Sequence, residues 1–561
     1  MTLLALAPTA QHAVAQTTTT WNGGAADANG RQFGVAANWS NGVPDASKTA
    51  VFNSSSATNV ANVGVAGDVA SLGLRFNSLA TSPVTINDDG LGSSTITILG
   101  NIFVDAAAAK ATLGLATLYP NSGTIEVNNT DGLDIAQSFT ANGSVLTKTG
   151  AGALNLLSET TFGGSVAING GAINIKKALS LTDSASVTLS LSSNTVLDRS
   201  GNSPLGVVSD TDPYFGVFLT GNGTAGISNL GTISATSPDA ASRRDTAAIS
   251  GTIITGDISN SGSILANGGA NTTLWDGTET NEAYQASTGG TVTGILAGQF
   301  INRIPQAGGY LAGNLTNSGT ISVTGSDADY LGGESIGIYT VDQRGVIRNT
   351  ATGLIEVHGG TGLNADAFGG GATGYFGDIT TNSPNFYNDG IIRAYAADGF
   401  GGGDSYGIVT GGQISGSGGA TNLGILSNTG RITATGGNAT GTGEYSEGGE
   451  AYGVYIDTAN AFTNTGSGII EATGGSGVEG AGGAAESVLF TASVANATNA
   501  GQITAVGGSS VDGDGAYGYG MDVSETLSVF DNTGTISGTG GASDSGGGGE
   551  GGGSMLTSCR M

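Results

Sequence analysis

One short motif constrains this chain more than anything else in it. It reads Asn428-Thr-Gly-Arg-Ile432-Thr-Ala-Thr-Gly-Gly437, with Leu426 two residues ahead of the asparagine. Close relatives are Ile227-Ser-Asn229-Leu-Gly231-Thr-Ile233, Ile258-Ser-Asn260-Ser-Gly262-Ser-Ile264 and Leu315-Thr-Asn317-Ser-Gly319-Thr-Ile321. Others are centred on Asn388, Asn499 and Asn532, while the copies at Asn349 and Asn464 carry two extra residues before the glycine. The fixed positions share one parity, so an extended backbone puts all of them on one face and the Thr, Ser, Arg and Glu on the other. One such strand cannot bury its apolar face. Copies stacked at strand spacing, roughly 4.8 Å, can do so, each isoleucine lying on the next. An inward asparagine is then satisfied by donating to the copy on one side and accepting from the copy on the other. The glycine two residues later allows the corner to bend. These features predict an all-β chain, a right-handed parallel β-helix (β-solenoid).

The composition agrees with that prediction. Glycine contributes 102 of 561 residues without a three-residue period, which excludes collagen. Hydrophobic residues make up 38% and are patterned, which argues against disorder throughout. With 16 basic against 44 acidic residues the net charge is −28, so nucleic acid is not an expected partner. The lone cysteine, Cys559, allows no internal disulfide, and a bacterial envelope origin accommodates that.

Residues 1–15 resemble the end of a secretory signal peptide, with a short apolar core and an Ala-x-Ala site at Ala13 and Ala15. No later stretch has the run of about 18 apolar residues that a membrane helix needs. Trp21 and Asn38-Trp39-Ser-Asn-Gly42-Val-Pro44 place two of the three tryptophans in residues 16–104, read as N-terminal capping coils. Ala106 to Ala116 is the one stretch expected to be helical.

Residues 145–175 read Val145-Leu-Thr-Lys148-Thr-Gly150-Ala-Gly152-Ala-Leu154-Asn-Leu156, then Phe162-Gly-Gly164-Ser-Val166-Ala-Ile168-Asn-Gly170-Gly-Ala-Ile173-Asn-Ile175. Three alternating strands and their turn glycines fall in order, and the segment resembles the passenger-associated transport repeat of bacterial autotransporters (type V secretion). The resemblance implies a β-helical passenger, secreted or held at the bacterial cell surface and associated with the outer membrane. Within that frame, 105–214 is β-helix containing the transport-repeat segment, and 215–540 is the Asn-x-Gly-x-Ile array. The family also implies an outer-membrane β-barrel translocator at the C-terminus. This chain instead closes on Gly547-Gly-Gly-Glu-Gly-Gly-Gly and an unpatterned end. Residues 541–561 are therefore expected to be a disordered Gly-rich tail, with the barrel lost by truncation or frameshift or carried on another chain.

Between the Asn strands lies a second strand type: Ser335-Ile-Gly-Ile338, Ser405-Tyr406-Gly-Ile408, Ala451-Tyr452-Gly-Val454 and Ala516-Tyr517-Gly-Tyr519. Each follows a loop rich in glycine and acids. Successive asparagines are mostly 31 to 40 residues apart, but 57 separate Asn260 from Asn317. That gap predicts an excursion around Trp275 and Tyr284 where binding could reside.

Three chemistries deserve weighing. Gly-x-Ser-x-Gly occurs at Ser335 and Ser405, but in a chain this rich in glycine and serine such matches arise by chance, and His358 is the only base outside the signal-like segment. Gly359-Gly-Thr-Gly362-Leu-Asn364 and Gly474-Gly-Ser-Gly477-Val-Glu479 approach the calcium nonapeptide but lack its aspartate. Asp512, Asp514, Glu444, Glu447 and Glu450 would be the hard-oxygen donors for such a site, and solvated acidic loops are the plainer account. A polysaccharide lyase would need clustered acids with a basic residue, for which Arg344 and Arg348 stand near Asp327, Asp329 and Asp342 in sequence. No residue is assigned to catalysis, metal or cofactor. The expected role is structural display or adhesion without catalysis. Host or cell-surface glycans or proteins are the expected partners, with a calcium-binding surface protein and a β-helical polysaccharide-degrading enzyme as alternatives.

Overall fold

The computed structural model describes residues 17–556, leaving out 24–30, 54–59, 81, 90–92, 144, 182–187, 201–213, 220–224, 240–242, 275–286, 299, 302–303, 306–308, 378–382, 412–421 and 443–445. The signal-like segment, Trp275, Tyr284, Glu444 and Cys559 lie outside the described residues. The fold is a parallel β-helix: strand follows strand around three parallel sheets, and no α-helix occurs among the described residues. Contacts divide the chain into two units, Met1–Asn155 and Leu156–Met561.

In the first unit, Thr17–Thr20, Lys48–Phe52, Gly73–Phe76 and Ile102–Val104 pair in parallel, and Gly123–Val127 and Val145–Thr149 extend the same row. Trp21, Phe33 and Trp39 are buried at the start of this unit. Trp39 packs edge-on against both others with ring centroids 5.0 Å apart, and its indole N–H donates to Phe33 O at 2.7 Å. Lys148, the lysine of the transport-repeat motif, is buried, and its ammonium donates to the carbonyls of Thr149 and Gly150. Burial lowers its pKa to about 8. The helix expected over Ala106 to Ala116 does not form. Ala111–Gly114 and Ala116–Tyr119 are strands instead, bonded to Val84–Asp88 and Thr95–Ile98. Alanine's helical preference amounts to a fraction of a kcal/mol per residue, and edges already waiting on the neighbouring coil outweigh it.

In the second unit each coil contributes one strand to each of three sheets. In the isoleucine sheet, Leu197, Ile233, Ile264, Ile321, Ile355, Ile392, Ile432, Ile470, Ile503 and Ile536 pair in one column. In the asparagine sheet the column is Asn229, Asn260, Asn317, Asn349, Asn388, Asn428, Asn464, Asn499 and Asn532. Each Nδ2 donates to the Oδ1 of the next asparagine at 2.7 to 2.9 Å. The same amide nitrogen faces a backbone carbonyl of the next coil, Ile391 O in the case of Asn349, which fixes the amide's orientation. The two extra residues after Asn349 are absorbed at the corner: Gly353 N–H bonds Thr350 O, and Leu354 resumes register on Gly319.

The corner glycines have a reason other than bending. None of Gly231, Gly262, Gly319, Gly390, Gly430, Gly501 and Gly534 has a positive φ. Each lies so close to the corner of the preceding coil that a Cβ would strike backbone, as Gly319 would strike Gly262.

The third sheet contains the Tyr-Gly-Ile strands, among them Val292–Ala297, Ser335–Thr340, Ala372–Gly377, Ser405–Thr410, Ala451–Ile456, Ala485–Phe490, Gly518–Val523 and Gly551–Leu556. Its mid-strand glycines face the isoleucine column. A Cβ on Gly337 would come within 2.6 Å of Ile355 Cγ2 and 2.5 Å of Gly374 O. At the same place in two coils stand Ala248 and Ser487, the largest side chains the column takes.

The Gly-rich loops joining the isoleucine sheet to this third sheet are themselves ordered coil upon coil. The N–H of Gly437 bonds Gly403 O, Gly449 bonds Gly437, Gly475 bonds Gly449, Gly483 bonds Gly475 and Gly508 bonds Gly483, all at 2.7 to 2.9 Å. The outgoing and returning limbs of successive loops thus alternate in one continuous seam. The stretch expected to be a disordered tail continues it: Gly541 bonds Ala516, Gly549 bonds Gly541, and Gly551–Leu556 pairs with Gly518–Val523. Backbone groups left open by coil 507–523 bind the glycines regardless of their low intrinsic preference for strand, so the coil runs past 540.

Candidate binding groove

Position-two parity builds a site on the outer face of the third sheet. The residue just ahead of each strand is Glu334, Asp404, Glu450 and Glu550 in four coils, and the residue two further on is Tyr406 after Asp404 and Tyr452 after Glu450. Along that second row, Ile336, Thr373, Tyr406, Tyr452, Glu486 and Tyr519 pair in succession. A carboxylate row therefore runs beside a partly aromatic row. The Tyr452 hydroxyl donates to Glu450 Oε2 at 2.7 Å, and the Tyr519 hydroxyl to Glu550 Oε2 at 3.3 Å. Tyr406 and Tyr452 stack with centroids 5.1 Å apart and planes 6° off parallel, and Tyr517 and Tyr519 stack at 4.9 Å.

Two adjoining hollows, of ≈ 860 and ≈ 700 Å³, follow these rows and share Phe368, Gly402 and Asp404. Glu447, Glu450, Asp514 and Glu550 line the larger; Glu334, Tyr330 and Tyr406 line the smaller. Among the described residues neither hollow is lined by a lysine or arginine. Glu486 is 5% exposed and its Oε2 has no hydrogen-bond partner. Burial, reinforced by the charges of Asp522 and Glu450, pushes its carboxyl up to about 7, against a lowering bond from Tyr517.

The residues weighed in the sequence for hydrolase or lyase chemistry lie elsewhere or separately. Ser335 Oγ donates to the backbone carbonyl of His358 at 2.6 Å, while the His358 ring stacks on Tyr395. Ser405 is buried. Arg344 pairs with Asp342 at 2.9 Å and lies over Tyr310, whereas Arg348 pairs with Asp389 at 2.9 Å and lies over Tyr387. Asp327, Asp398 and Asp514 each accept a backbone N–H from a neighbouring coil, those of Thr361, Asn438 and Gly547. Among the described residues no three His, Cys, Asp or Glu side chains converge as a metal site would require. Of the suspected calcium donors, Glu447, Glu450 and Asp514 line the groove, while Asp512 is not among its lining residues. The groove itself was missed by sequence reading. Its trace is an acid two residues ahead of a tyrosine, as in Asp404-Ser-Tyr406 and Glu450-Ala-Tyr452, which gains meaning only once the coils are aligned.

The class these features define is a repetitive parallel β-helix. No family model, curated protein or solved structure matches the chain.

Proposed function

We propose that this chain is a passenger-like protein of the bacterial surface, secreted or displayed, serving structural display and adhesion rather than catalysis. The observation that supports this reading most is the uninterrupted register of the asparagine and isoleucine columns over the second unit. Such a body makes nearly all its contacts between adjacent coils, so it can form one coil at a time, each providing the edge for the next. That suits a chain delivered through a membrane end first. The transport-repeat resemblance over 145–175 points the same way.

Antibody labelling of intact against lysed cells, combined with protease shaving, tests display: labelling seen only after lysis would refute it. Adhesion is tested separately with purified full-length chain on glycan, host-protein and cell-coat panels, and uniform failure there would remove adhesion while leaving display standing.

A further inference from the structure

We propose that the groove along the third sheet binds a linear ligand carrying protonated amines at intervals along its length. This goes beyond the display reading and does not depend on it. Four observations carry it. The carboxylate row, Glu334, Asp404, Glu450 and Glu550, lies beside the tyrosine row, and both follow the coil axis. Tyr330, Phe368, Tyr406, Tyr517 and Tyr519 line the hollows with aromatic rings, whose faces attract cations. No lysine or arginine is among the described lining residues, and the one cation whose charge acts on Glu334, Arg243, is paired with Asp245. Finally, Glu486 stands on the tyrosine row between Tyr452 and Tyr519, buried and outside the lining of either hollow, and adds a fifth acid to the two rows. Ammonium groups supply both the opposite charge and the donors that the lining carboxylates of Glu334, Asp404, Glu450 and Glu550 can accept. Anionic chains are repelled by the same rows, and a neutral chain would leave the charge uncompensated. The acids fall at uneven intervals, with Gly371, Ala484 and Tyr517 at the same position in the intervening coils, so a chain lying along the axis meets carboxylates at separated points rather than in every coil.

The test is calorimetric titration of the full-length chain at low salt with spermine, with a glucosamine oligomer, and with the N-acetylated form of that oligomer. Binding of spermine and glucosamine oligomer together shows that spaced ammonium groups suffice. Binding of only one of them identifies the source as a polyamine or an amino-sugar chain. The double variant Asp404→Asn, Glu450→Gln is expected to weaken binding at least tenfold, and Tyr406→Ala severalfold, both with unchanged circular dichroism. The control Glu356→Gln, Glu471→Gln, on the isoleucine sheet, is expected to bind as the parent does. The proposal is overturned if neither amine binds, if the N-acetylated oligomer binds as tightly, or if the control loses as much affinity as the groove variant. Should the groove variant misfold, Glu550→Gln at the exposed mouth, expected to lose severalfold, keeps the question open to refutation.

Discussion

Asn388 shows how much a single side chain contributes here. It is fully buried, accepts from Asn349 and donates to Asn428, so Asn388→Ala leaves an orphan donor on one side and an orphan acceptor on the other. Unsatisfied buried groups cost about 1–3 kcal/mol each, so the expected loss is roughly 2–4 kcal/mol by chemical denaturation. Asn388→Asp, with the same shape, is expected to cost more, because a buried charge replaces the donor. Asn532→Ala, on an exposed rung, is expected to cost little; equal losses at 388 and 532 would mean the column does not act as a ladder. Glu486 makes a second residue-scale prediction. Its folded pKa of about 7 lies above the ordinary carboxylate value, so between these two the folded state holds more protons than the unfolded one. Stability therefore falls as pH rises through that window and levels off above it. In Glu486→Gln this part of the slope is expected to vanish in melts taken from pH 4 to 8; an unchanged slope would place the titration elsewhere.

Among the elements, the glycines divide by what they face. Gly337→Ala drives a methyl between Ile355 and the carbonyl of Gly374, and overpacking of that kind costs about 1–3 kcal/mol. Gly475→Ala breaks the loop seam instead. Its expected signature is faster amide exchange at Gly483 and Gly508 with the isoleucine sheet still protected. Loss of protection throughout the unit would show that seam and sheets open together. These elements also mark where the sequence was readable. Parity made the asparagine and isoleucine columns plain at Asn428 and Ile432, because one chemical rule, bury the apolar face and pair the amide, fixes both. The seam was not readable, since Gly436–Gly449 taken alone has the composition of a loose loop, and the N–H groups of Gly436, Gly437 and Gly448 find their partners on other coils. The groove was hidden for the same reason: Glu450 and Tyr452 are neighbours by parity, but Tyr406, Glu486 and Tyr519 join them only through register. Ala106–Ala116 misled because local preference is weak beside an open strand edge.

For the second unit as a whole, near-exclusive contact between adjacent coils turns stability into a sum of similar terms. Removing one whole period should then matter less than removing a fraction of one. Deletion of 389–428, spanning the 40-residue step between two asparagines, joins Asn388 directly to Thr429. Ile432 then falls on Ile355 and Asn464 on Asn388, each the kind of neighbour it had before, while Val454 falls on Tyr375 as Ile408 did. The shorter deletion of 391–404 removes an isoleucine strand and its loop, so Ser405–Thr410 arrives where an isoleucine strand belongs and every later face is displaced by one sheet. The longer cut is expected to give a monomeric product with a cooperative melt close to the parent's, and the shorter cut an aggregating one, by size exclusion and circular dichroism. The reverse ranking would mean that chain length, not register, holds the unit together, and the stacked columns would then lose their place as the source of its stability.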